Sequence, residues 1–79
     1  MGDQYRRLKV VVTPGMFSTE RLVTINTANG EDACFVDVGQ IEDGSLSVKM
    51  LDQDDRHALI WLRANDGGLT LKVALDQLV

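Results

Sequence analysis

The chain has 79 residues, a formal net charge of −4 and one cysteine. That length suits a single small domain, which buries only about 60–65% of the surface its unfolded chain exposes. A lone cysteine excludes a disulfide-stapled scaffold. With Cys34 and His57 the only soft ligands, no zinc cluster can form and no metal or cofactor is expected.

Hydrophobic residues make up 44% and charged residues 25%, a globular rather than a disordered balance. No apolar run is long enough to cross a bilayer as a helix. The start, "MGDQYRRLKV", has no apolar leader core, and Arg6 stands where a myristoylation signal needs Ser or Thr. A reducing, cytoplasmic setting is the resulting expectation.

Charge is unevenly spread. Residues 1–22 carry Arg6, Arg7, Lys9 and Arg21 against Asp3 and Glu20, a sum of +2. Residues 31–55 carry eight acids against Lys49 alone, a sum of −7. An acidic middle argues against a protein whose main task is gripping phosphates. Asp also favours turns for its own local reasons.

Turn signals recur at short spacing: "TPG" (13–15), "ANGE" (28–31), "EDGS" (42–45), "DQDD" (52–55) and "NDGG" (65–68). Runs rich in Val, Leu, Ile and Thr lie between them. This pattern predicts antiparallel hairpins in an all-β domain, residues 1–79 forming one unit. Five to six strands in mostly meander order would curl into a small barrel or roll, with a two-layer sheet as the alternative.

The first strand is predicted over "RRLKVVVT", with Leu8, Val10 and Val12 inward and Pro14-Gly15 ending it. "MFSTE" (16–20) is a loop. Placing Asn29-Gly30 in a two-residue primed turn sets Ile25 opposite Cys34 and Val23 opposite Val36. Residues 31–42 read as one long strand bent by a β-bulge at Gly39, which brings Cys34, Val36, Val38 and Ile41 to one face. A turn at Asp43-Gly44 sets Ile41 against Leu46.

A three-residue loop, Gln53-Asp54-Asp55, sets Val48 against Ile60 and Leu46 against Leu62, with Asp52 and Arg56 closing it as an ion pair. A primed turn at Asp66-Gly67 sets Leu62 against Leu71, Ile60 against Val73 and Ala58 against Leu75. "LDQLV" ends the chain as a short turn or a strand extension.

No catalytic constellation emerges, and the expectation is a non-enzymatic protein. His57 falls opposite Asp76, but nothing places a hydroxyl such as Ser18, Thr19 or Ser47 beside that pair. Cys34 lies on the core face, where a thiol is inert. "DQDD" lacks the glycine and distant Glu of a calcium loop. The glycines form no phosphate-binding loop.

The strand 57–63 raises a different matter. Ala58, Ile60 and Leu62 face the core, which leaves Trp61 on the other side with Leu59, His57 and Leu51. Such a stripe is too apolar for plain solvent surface. Either the 14–22 segment covers it with Met16 and Phe17, or it is a partner-binding face of Trp61, Leu59, Leu51 and His57 with Lys72 at the rim. The expected partner is a protein or a second copy. A less favoured alternative is nucleic acid, with Tyr5 stacking on a base and Arg6, Arg7 and Lys9 on phosphates. Another is an acidic inhibitor presenting Glu42, Asp43, Asp52, Asp54 and Asp55 to a basic groove as a phosphate mimic.

Overall fold

The computed structural model describes residues 4–79; Met1–Asp3, on which the leader and myristoylation readings partly rest, lie outside the described residues. In the strand His57–Ala64 every even-numbered residue is buried and no odd-numbered one is. The same period of two runs through the other long strands, because successive side chains point to opposite faces of a pleated sheet. Among the described residues there is no α-helix, only two single 3-10 turns. The fold is all-β and antiparallel.

Among the described residues eight strands form two sheets: β1 (Tyr5–Lys9), β2 (Val11–Pro14), β3 (Glu20–Thr27), β4 (Gly30–Asp37), β5 (Ile41–Glu42), β6 (Ser45–Gln53), β7 (His57–Ala64) and β8 (Gly67–Ala74). The large sheet has the order β1-β6-β7-β8, with β5 beside the start of β6. The small sheet has the order β2-β3-β4. Leu8, Val23, Ile25, Val36, Leu46, Val48, Ile60, Leu62 and Val73 are fully buried between them. Each such side chain contributes about 1.5–3 kcal/mol by leaving water.

The described ladders do not close into a barrel. Single hydrogen bonds tie the sheets at their margins: Ala28 N–H to Lys72 O (2.8 Å) and Asn65 N–H to Phe35 O (2.9 Å). Past a 3-10 turn at Leu75–Gln77, Leu78 bridges to Leu8 and caps the free edge of β1.

The chain crosses between sheets at two places where the sequence reads as continuous strand. The first strand breaks at Val10, whose N–H turns to Gly44 O (3.1 Å). Leu8 is buried as expected and Val10 packs against the core, but Val12 is 36% exposed because β2 is a short edge strand. Pro14 is tolerated there because an edge strand need not donate outward.

The second crossing replaces the bulge at Gly39. Val38–Gln40 form a 3-10 turn, and Gly39 has no positive φ. Gln40 holds the turn: its Oε1 accepts from Asp37 N–H (3.1 Å) and its Nε2 donates to Arg63 O (2.9 Å). The phase flip brings Ile41 against the core, while Val38 stays 40% exposed.

Three hairpin registers differ from expectation, and the reason is local. Val23 pairs with Cys34 and Ile25 with Asp32; Leu62 pairs with Leu69, Ile60 with Leu71 and Ala58 with Val73. Both ladders slip by two residues. The two-residue loops are Ala28-Asn29 and Asn65-Asp66, with the positive φ carried by the following Gly30 (113°) and Gly67 (135°). A slip of two keeps every side chain on its predicted face, so the core survives the error. At Asp43-Gly44 both residues have positive φ and Ile41 meets Leu46, as a primed turn requires.

The β6–β7 loop departs further. Met50, not Val48, pairs with Ile60, and the ladder is interrupted by a bulge at Leu51. The Asp54 carboxylate accepts from the Arg56 (2.8 Å) and His57 (2.7 Å) backbone N–H groups, and this closes the loop in place of an Asp52–Arg56 ion pair. These two bonds favour the ionised form and hold the Asp54 carboxyl below the usual range.

Candidate functional site

The outer face of the large sheet is built from the odd-numbered residues of β1, of β6 up to its bulge and of β7, with Asp52 beyond the bulge and the even-numbered residues of β8. Trp61 lies near its centre. Its ladder neighbours are Lys49 on β6 and Thr70 on β8, and Tyr5 lies beyond Lys49, so one row reads Tyr5–Lys49–Trp61–Thr70. The expected neighbour Lys72 stands instead opposite Leu59, whose other partner is Asp52.

The indole rests over Gly68. A Cβ there would overlap Nε1, Cε2 and Cζ2 of Trp61. Glycine at this place lets a large ring settle against the sheet and still leaves 36% of Trp61 exposed. Leu59 and Leu51 are exposed to similar degrees, 38% and 46%, and His57 is half-buried. Met16 and Phe17 are among the most exposed residues and do not form a buried lid.

His57 pairs with Ala74, while Asp76 sits in the last 3-10 turn, and no hydrogen bond joins the two. Cys34 is buried, and burial first, then Asp66 and Asp32, pushes its thiol pKa up. Among the described residues no group of three or more His, Cys, Asp or Glu is placed to hold a metal ion. No helix among them is long and apolar enough to cross a membrane.

Two groups of residues that the sequence keeps apart share this face. Tyr5, Arg7 and Lys9 of β1 join Trp61, Leu59 and Lys72, because β1 pairs with β6 at a separation of some forty residues. Arg6 belongs to the opposite phase of β1. Arg7 is already engaged: its Nε donates to Ser45 Oγ (2.7 Å), and its guanidinium lies 3.5 Å from the Glu42 carboxylate. A groove of about 490 Å³ runs between β1 and the end of β7, lined by Tyr5, Arg7, Gln40, Lys49, Trp61 and Arg63 among others. A smaller hollow of about 230 Å³ lies at the other end, with Asp52, Asp54, His57, Leu59 and Lys72.

The charge of the face is distinctive. Arg7, Lys9, Lys49, Arg63 and Lys72 against Glu42, Asp52 and Asp54 leave it at +2, on a chain of −4. Lys49 and Arg63 are the members that sequence reasoning missed. Their strand phase was legible, but not the non-local pairing that gathers them around Trp61.

The acidic residues are not gathered in the same way. Glu42 and Asp43 sit at one end of β6, and Asp52, Asp54 and Asp55 at the other. The ends of that nine-residue strand are about 26 Å apart at ~3.3 Å per residue.

The outer face of the small sheet is the electrostatic opposite. Phe35 pairs with Leu22, and Val11 lies two residues along the neighbouring strand. Glu20, Glu31 and Asp37 surround this apolar centre, a sum of −3, and Lys9 lies at its margin, lining a hollow with Val11, Thr24 and Asn26. Phe35 is 38% exposed and Val11 62%.

No family model matches this chain, and comparison with curated proteins and with solved structures finds no match.

Proposed function

We propose that this protein is a non-enzymatic binding module whose docking surface is the outer face of the large sheet, centred on Trp61 and Leu59. The observation that carries the reading is a half-exposed tryptophan seated on a glycine at the middle of a cationic sheet face. Aromatic anchors ringed by polar groups are where protein interfaces concentrate their energy. The surrounding cations select a partner surface that is acidic, since like charges brought together at an interface cost several kcal/mol.

We further read the two sheets as halves of an incompletely closed roll in a cytoplasmic protein. The Leu8–Leu78 bridge and the marginal hydrogen bonds between sheets support the roll.

Trp61→Ala tests the docking surface. An interface tryptophan costs about 2–4 kcal/mol of binding on truncation. A tryptophan serving the fold costs about 3–5 kcal/mol of stability. Sedimentation and chemical denaturation of the same variant separate the two. Loss of binding with a near-unchanged denaturation midpoint is expected; severe unfolding with no change in association contradicts the reading.

A further inference from the structure

Both outer faces of the sandwich carry an exposed apolar centre, and among the described residues nothing covers either. Their charges are opposite in sign: +2 around Trp61 on the large sheet and −3 around Phe35 on the small one. We propose that the partner of the Trp61 face is the Phe35 face of a second copy of this chain. This rests on the docking surface assigned above and names its occupant.

Two other arrangements fit less well. Packing two Trp61 faces together would bring two cationic surfaces into contact. Packing two Phe35 faces together would do the same with two acidic ones. Like charges at such distances repel, whereas head-to-tail contact places each basic rim on an acidic one. A stable interface takes ~800 Å² per partner, roughly 15% of the 5225 Å² surface of this chain. A head-to-tail contact uses two different patches, so one copy can bind at both faces and the assembly grows with concentration rather than stopping at a dimer.

The two patches can be blocked one at a time. Arg63→Glu with Lys72→Glu reverses the basic rim; Glu31→Lys with Asp37→Lys reverses the acidic rim. All four side chains are exposed, and circular dichroism verifies that each variant is folded. Sedimentation of the wild type from micromolar to millimolar concentration should give a rising mean mass that falls as salt is added. Each double variant should self-associate at least tenfold more weakly. An equimolar mixture of the two should regain association, because each retains the patch the other has lost.

A wild type that stays monomeric throughout overturns the proposal. So does self-association that survives reversal of the acidic rim, which would mean two like faces meet. The docking surface itself is then probed separately through Trp61 fluorescence, with poly-glutamate and with a single-stranded oligonucleotide. A response to poly-glutamate keeps an acidic protein as partner; a response to the oligonucleotide alone assigns the face to nucleic acid; silence to both removes the docking surface as well.

Discussion

Trp61 and Gly68 act as a pair at the residue scale. The indole occupies the volume a Cβ would need at position 68. Gly68→Ala should therefore lift the ring from the sheet, redden its emission and cost about 1–3 kcal/mol through overpacking. Emission and denaturation midpoint both unchanged would show that the ring does not depend on that glycine. Asp54 makes a second residue-scale prediction. Its carboxylate accepts two backbone N–H bonds, so its folded pKa lies below the unfolded one. A depressed carboxylate contributes stability that is complete above its unfolded pKa and lost as pH falls through the folded one. Asp54→Asn should flatten the acid side of the stability profile, below the ordinary carboxylate range. An unchanged acid limb in a pH series of denaturation curves would contradict the role given to these bonds.

The facing of the long strands was legible at the element scale; register was legible at the Asp43-Gly44 turn but not at the other three hairpins. Alternation of Ala58, Ile60 and Leu62 with Leu59, Trp61 and Arg63 is visible in the residues themselves, and the core follows it. Register depends on which turn residue takes the positive φ, and Asn-Gly and Asp-Gly permit two answers. Here the glycine takes it alone at Gly30 and Gly67, while Asp43 and Gly44 share it. The crossings at Val10 and at Val38–Gln40 were hidden because a strand leaving one sheet for another keeps the composition of a continuous strand. Gly39 shows the consequence. It stands in open space without a positive φ. Gly39→Ala should be neutral or stabilise by about 0.4–1 kcal/mol through the unfolded chain. A loss of stability would restore a bulge-like requirement for glycine at this turn.

Charge segregation is a property of the whole molecule, and linear counting hides it. Along the chain the basic residues at the start and the acidic stretch in the middle look like two blocks. In the fold, Arg7 and Lys9 are carried beside Lys49, Arg63 and Lys72, while Glu31 and Asp37 lie on the opposite layer with Glu20. The candidate site was therefore half legible: Trp61, Leu59 and Lys72 from strand phase, but not their cationic company, which depends on long-range pairing. The separation of the two blocks lets an acidic protein present a basic face.

The most direct measurement uses the fact that Trp61 is the only tryptophan. Its fluorescence in the native, dilute protein can be quenched with iodide and, separately, with caesium. Collisional quenching requires contact with the ring, and local potential sets the local concentration of each ion. An open cationic face predicts strong quenching by iodide and weak quenching by caesium, despite the overall charge of −4. Protection from both ions, or stronger quenching by caesium, would contradict an exposed basic docking surface around Trp61.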